Sequence, residues 1–100
     1  KMKETAILVN SSRGPVVDQQ ALCNALTSGG IMGAALDVME VEPIPVDDQI
    51  LKLENVVLSP HLGTDTEGTR LKVSMTAARN LLAGLNGERL PLCVNPEVYA

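Results

Sequence analysis

Aromatic side chains are almost missing from this sequence: Tyr99 is the only one among 100 residues, with no Trp and no Phe. Recognition of single-stranded nucleic acid by base stacking needs aromatic platforms, and this chain has none to offer. Positive charge is also scarce. Eight Lys and Arg face twelve Asp and Glu, for a formal net charge of −4. Without a basic block there is no electrostatic footprint for nucleic acid. No apolar run approaches the roughly 20 residues that cross a bilayer, so no membrane partner is expected. The opening Lys1-Met2-Lys3-Glu4 does not read as a targeting segment. The two cysteines, Cys23 and Cys93, have neither metal-ligand spacing nor the density of a disulfide framework. Cys23 reads as a small apolar helix residue and Cys93 as a tail residue. This usage suits a reducing compartment, and a cytoplasmic setting is expected. What remains is aliphatic: hydrophobic residues make up 45% of the chain, enough for one domain with a core of Val, Leu, Ile, Met and Ala.

There is no internal repeat and no low-complexity stretch, so the order of elements carries the information. Ala6 to Val9 is a short apolar run ending at Asn10-Ser11-Ser12, a buried strand followed by a loop. Asp18 is placed to cap a helix from Gln19 to Ser28 that Gly29-Gly30 ends. Ala21, Leu22, Ala25 and Leu26 fall on one face of it. Ile31 to Leu36 reads as a second buried strand. A Pro-containing loop, Met39 to Asp48, leads to a short helical turn at Gln49 to Leu53. Val56 to Leu58 is a third strand, stopped by Ser59-Pro60. From about Thr66 to Leu85 the pattern is helical, with Leu71, Met75, Ala78, Leu82 and Leu85 forming an apolar stripe. Pro91 and Pro96 mark an extended tail.

Strand, helix, strand, loop, strand, helix is an α/β order. The strands are continuous apolar runs, as a parallel sheet covered on both faces requires. Two helices are few to cover both faces of three strands, which points to a piece of a larger doubly wound domain. In such sheets ligands bind outside the carboxyl ends of the strands. Each strand here is followed at once by residues with chemical potential. The first leads to Asn10-Ser11-Ser12-Arg13-Gly14, the second to Asp37, Glu40 and Glu42-Pro43, and the third to Ser59-Pro60-His61-Leu62-Gly63. An Arg grips a carboxylate through two parallel hydrogen bonds, and a His moves a proton near neutral pH. A Glu beside the His orients its ring and favours its charged form. Together they suit reversible reduction of a carbonyl next to a carboxylate. Taken singly, each has a plainer reading: Arg13 as a loop-stabilising residue, His61 as structural, Glu42 as a solvated loop acid, Asp37 as a turn cap.

The run Met2 to Gly14, continued by Val16-Val17-Asp18-Gln19-Gln20-Ala21-Leu22, resembles the third signature region of the D-isomer-specific 2-hydroxyacid dehydrogenases. Gly33-Ala34-Ala35-Leu36-Asp37-Val38, with Glu42-Pro43 five residues past Asp37, is similar to the segment holding that family's catalytic Glu. Ser59-Pro60-His61-Leu62-Gly63 is similar to its catalytic His segment. The three motifs stand in the family's order over nearly the whole chain. The loop Glu42-Pro43-Ile44-Pro45 and the closing Asn95-Pro96-Glu97-Val98-Tyr99 most resemble the glyoxylate/hydroxypyruvate reductase branch.

The resemblance implies the C-terminal half of a Rossmann-like doubly wound parallel sheet, ending in a long helix and extended tail. Residues 1–85 would belong to the nucleotide-binding domain, and 86–100 would form a tail returning toward the substrate domain. It implies a small 2-oxo or 2-hydroxy acid substrate, NADP or NAD as cofactor, and a homodimeric parent protein. Arg13 would bind the carboxylate and carbonyl oxygen of the 2-oxo acid. His61 would give its proton to that oxygen, and Glu42 would hydrogen-bond His61 and keep it protonated. Asp37 would lie near the nicotinamide carboxamide, Ser11, Ser12 and Arg13 in the cofactor-side loop, and Gly63 where backbone passes close to the cofactor. The family's corepressor members, which use the dinucleotide fold as a redox-sensing scaffold, would carry a similar Arg, Glu and His. A truncated, non-catalytic interaction module is a further possibility. Two departures stand out. Asp65 in Thr64-Asp65-Thr66 occupies a position where the family usually has a small residue; it is placed to cap the next helix or to disturb the nicotinamide end. The glycine-rich phosphate loop does not occur, since Gly29-Gly30 and Gly33 lack its spacing and precede a strand. The isolated chain is therefore expected to be inactive.

Overall fold

The structure is a computed structural model that describes residues 1–100. The chain forms two compact units, Lys1–Gly63 and Thr64–Ala100. The first contains three parallel strands, β1 (Ile7–Asn10), β2 (Gly33–Leu36) and β3 (Val56–Leu58), in spatial order β1-β2-β3. Parallel neighbours need a crossover. Between β1 and β2 it is the helix α1 (Gln19–Thr27). Between β2 and β3 it is a loop with a single 3-10 turn at Gln49–Lys52. The α/β order read from the sequence therefore holds. Two strands begin later than their apolar runs, at Ile7 instead of Ala6 and at Gly33 instead of Ile31. Ile31 is buried in the turn before β2, so its burial does not depend on strand pairing.

Local chemistry sets the ends of α1. The Asp18 carboxylate accepts the Ala21 N–H at 2.8 Å, satisfying one of the donors a helix start leaves free. At the far end Gly29 takes φ 72°, a conformation open to glycine without a Cβ penalty. Leu22, Cys23 and Leu26 are the buried residues of α1. Ala21, expected on the inner face, is exposed, and Cys23 takes its place. These side chains pack with Ile31, Ala34, Leu36, Met39 and Ile50, and the half-buried Leu8, Val56 and Leu58 join them.

The sheet is covered on one face only. Pairing sets Val9 beside Ala35 and Ala35 beside Val57, and strand side chains alternate between faces. On the face away from α1, Ile7, Val9 and Val57 are 56%, 70% and 69% exposed. The continuous apolar runs that pointed to a doubly covered sheet thus leave an open aliphatic face in this unit.

The second unit is built on α2 (Glu67–Leu85). Its N-cap is Thr66, whose hydroxyl accepts the Thr69 N–H at 3.2 Å. Asp65 does not take the capping role expected of it. It pairs instead with Arg70 at 3.2 Å, on the surface. Of the apolar stripe, Leu71, Met75, Leu82 and Leu85 are all exposed, and Ala83 is the buried residue of the helix. Periodicity predicts a buried face, but burial needs an opposing surface. The tail is tied to α2 through Asn80, which donates to Leu92 O at 2.7 Å and accepts from Leu92 N at 3.1 Å. It is not extended to its end: Pro96–Tyr99 form a 3-10 turn, and the Arg89 guanidinium reaches Tyr99 O at 2.8 Å.

Ile50, 1% exposed, is the most enclosed large side chain. Ile50→Ala should cost about 2–5 kcal/mol in a denaturant titration through lost burial and the cavity left behind. Val57→Ala on the open face should cost about 1 kcal/mol or less.

Candidate active site

The register brings Asn10, Leu36 and Leu58 level at the carboxyl end of the sheet. The three loops that leave there carry Ser11 to Gly14, Asp37 to Glu42, and Ser59 to Gly63. Two of the loops meet through side chains. His61 Nδ1 lies 3.0 Å from Glu42 Oε2. The other Glu42 oxygen accepts the Met39 N–H at 2.9 Å. Both hydrogen bonds favour the ionised carboxylate and hold Glu42 below the usual carboxylate range, the His61 bond most strongly. An ionised carboxylate only accepts, so Nδ1 carries the hydrogen in this pair. Nε2 is left as the ring atom free for chemistry.

His61 itself sits at φ 56°, in the left-handed region that a side chain with a Cβ seldom adopts. Asp37 is what holds it there. Its Oδ1 accepts from Ser59 Oγ at 2.5 Å and from Leu62 N at 2.8 Å, and its Oδ2 accepts from Gly63 N at 2.7 Å. The carboxylate thus binds the residues on both sides of His61. Its pKa is lowered, first by the Ser59 hydroxyl and then by the Leu62 N–H. Gly63 fits this clamp closely, because a Cβ there would lie 2.9 Å from Asp37 Oδ2. The holding role of Asp37 and Ser59 was absent from the sequence reading. Two polar residues 22 positions apart declare their pairing only once β2 and β3 are side by side.

Arg13 stands apart from this group. Its guanidinium donates through Nη1 to the Ser12 carbonyl at 2.6 Å. The structure therefore brings Asp37, Glu42 and His61 together and leaves Arg13 on the neighbouring loop. Ser12 is exposed, with both its N–H and its hydroxyl donating to Asn10 Oδ1 at 3.1 Å. Ser11 is exposed. Gly14 is buried against the next loop, where a Cβ would come within 1.7 Å of Met39 O. Sequence reading missed this contact too, although a Gly directly after the Arg is the residue that permits it.

Beside the His61–Glu42 pair is an open depression of about 430 Å³, lined by Asp37, Met39, Glu42, Pro43, Ile44, Ser59, Pro60 and His61. Apolar walls with a few converging polar groups are the usual make-up of a small-molecule site. A second depression, of about 460 Å³, lies over Leu8, Ala21 and Ala25. It carries no acid–base pair, since its one carboxylate, Asp18, serves as the helix cap.

Residues 1–63 match the model of the D-isomer specific 2-hydroxyacid dehydrogenase, NAD binding domain, family. The chain is 57% identical over 98 residues to a glyoxylate reductase of Korarchaeum cryptofilum, covering 98% of this chain and 30% of that protein. It is 51% identical over 100 residues to a glyoxylate/hydroxypyruvate reductase B of an Enterobacter species, covering all of this chain and 31% of the relative. Among solved structures it is similar to an NADPH-dependent glyoxylate/hydroxypyruvate reductase of Sinorhizobium meliloti in complex with NADP and malonate. That match has a TM-score of 0.81 at 36% identity and covers 93% of this chain and 29% of the other. The chain thus spans about 30% of the length of the relatives it matches.

Gly14→Ala should force the Arg13 loop away from Met39 and destabilise the first unit by about 1–3 kcal/mol or more, measured by denaturant unfolding. The Asp37 clamp has a pH signature. Its folded pKa is lowered, so its contribution is full above the ordinary carboxylate range and is lost as pH falls through the lowered value. The amide resonances of Leu62 and Gly63 should hold steady down through that range and move only below it. A midpoint at ordinary carboxylate pH would show that the clamp does not form.

Proposed function

Since this chain belongs to the D-isomer specific 2-hydroxyacid dehydrogenase family, we propose that it is the catalytic edge of an NADP- or NAD-dependent reductase of small 2-oxo acids such as glyoxylate and hydroxypyruvate. The observation that carries the reading is the His61–Glu42 pair, 3.0 Å apart, on a left-handed turn that Asp37 clamps. A polar pair of that kind beside an apolar depression suits proton transfer to a small bound acid.

Asp37 Oδ2 accepts a single protein N–H, and a carboxylate oxygen has room for a second donor. A carboxamide N–H placed beside His61 would find its acceptor there. The residues present therefore fit the nicotinamide end of the cofactor. None fits the pyrophosphate, which the glycine-rich loop binds in such folds. When bound, the cofactor would supply a hydride to the carbonyl carbon. The carbonyl oxygen, receiving the C=O π electrons, would take its proton from His61 Nε2. His61 thereby passes from its doubly protonated to its neutral form. Glu42 keeps Nδ1–H engaged throughout, so the ring cannot turn away. Arg13 would hold the substrate carboxylate, giving up its exposed bond to Ser12 O to do so. Ser11 and Ser12 would shape the cofactor side of that loop.

The exposed sheet face and the exposed α2 stripe support placing this chain within a longer polypeptide. Residues 1–85 would be the C-terminal part of its nucleotide-binding domain, a half of a doubly wound sheet, and 86–100 a tail toward the substrate domain. The 100-residue chain alone would not turn over.

In the full-length polypeptide, NADPH or NADH mixed with glyoxylate or hydroxypyruvate should lose the absorbance of the reduced nicotinamide. His61→Ala should cut turnover by about 10²–10⁴-fold. Unchanged turnover in that variant, or turnover by the isolated chain, would rule the assignment out in its present form.

A further inference from the structure

We propose that Asn10 is the positioning residue for Arg13, an inference that rests on the carboxylate-binding role just given to Arg13. Asn10 is the buried polar residue of the core, 6% exposed at the last position of β1. Its side chain closes the loop from both ends. Nδ2 donates to Arg13 O at 2.9 Å, while Oδ1 accepts from Ser12 N and Ser12 Oγ, each at 3.1 Å. Its backbone carbonyl accepts the Asp37 N–H at 2.9 Å. One residue therefore ties the Arg13 loop to the strand end that carries the His61 clamp.

The chemistry of the site calls for Asn. It needs a donor and an acceptor at a fixed separation on one short side chain, which a planar amide provides. The reversed amide would set Nδ2 against the Ser12 N–H and Oδ1 against Arg13 O, losing both contacts. Asp would keep the acceptor and lose the donor. Ser would be too short to span the two. With the Arg13 carbonyl fixed, the residue is held extended at φ −144°, ψ 144°. Gly14 then seats against Met39, the residue whose N–H binds Glu42. Arg13 is thereby launched from a backbone set in advance, and the loop ordering that a bound carboxylate would otherwise have to impose is already done. Asn10 touches no substrate in this scheme; it acts through Arg13.

The test is a double-mutant cycle in the full-length polypeptide, with glyoxylate and NADPH as probes. Asn10→Asp is nearly isosteric and removes the donor to Arg13 O. It should raise the glyoxylate KM by about tenfold, with kcat and the NADPH KM little changed, as loss of one hydrogen bond that serves ground-state binding predicts. Arg13→Lys should raise the same KM at least as much. The double variant should be no worse than Arg13→Lys alone, because a residue that acts only through Arg13 has nothing left to position. Multiplicative effects, or an Asn10→Asp variant with unchanged glyoxylate KM, would overturn the proposal while leaving the function standing. So would equal losses toward glyoxylate and NADPH, which mark general loosening of the fold. Should Asn10→Asp fail to fold, the neutral Asn10→Ser carries the same expectation for the glyoxylate KM and for the double variant. An Arg13→Lys variant with wild-type glyoxylate KM would instead overturn the carboxylate-binding role, and this inference with it.

Discussion

The Asp37 carboxylate is the constraint on which the site depends. It stands at the end of β2 and accepts hydrogen bonds from Ser59, Leu62 and Gly63, all in the loop that follows β3. Those bonds hold the backbone through His61, whose left-handed conformation a free chain would seldom choose. With the turn set, the imidazole faces Glu42 and the pair forms. Glu42 is held in turn by the Met39 N–H, and Met39 is the residue against which Gly14 packs. Fixed charges, N–H groups and one close backbone contact at Gly14 thus connect the three loops that leave the sheet edge.

The parallel sheet is what makes such a network possible. Three strands running the same way deliver three loops to one edge, and pairing fixes their relative height to within a residue. Below the edge the construction is ordinary: α1 and the turn at Gln49–Lys52 seal one face with aliphatic side chains. The opposite face and the stripe along α2 remain uncovered. Soluble single-domain proteins seldom leave so much aliphatic surface open. That surface agrees with a chain that spans about 30% of the relatives it matches.

Much of the first unit was legible in the sequence because the signals are local. Apolar runs bounded by Asn, Ser and Pro mark the strands, Asp18 caps α1 as expected, and the short turn falls at Gln49–Lys52. The misreadings came where local signals compete or where burial was assumed. Thr66 caps α2 in place of Asp65, since a hydroxyl one position later reaches the Thr69 N–H and Arg70 draws the Asp65 carboxylate to itself. The stripe on α2 was correctly apolar, yet nothing in its spacing could say whether a surface lies opposite. The 3-10 turn at Pro96–Tyr99 replaces an extended end because Arg89 and Leu90 draw Tyr99 back.

The sequence by itself determined which residues are candidates for chemistry and in what order they come, because residue type and spacing along the chain are all that such motifs require. Arg13, Asp37, Glu42 and His61 each follow a strand, and that much needs no coordinates. Only the tertiary structure decided which of them meet. Glu42 and His61 are 19 positions apart, and Asp37 reaches Gly63 across 26. Hydrogen bonds act over about 3 Å, so contacts at such separations exist only once strand pairing has brought the loops together. The same physics turned Asn10, which in the sequence marks only the end of a strand, into the buried amide that holds the Arg13 backbone in place, and left the Arg13 guanidinium one loop away from the pair.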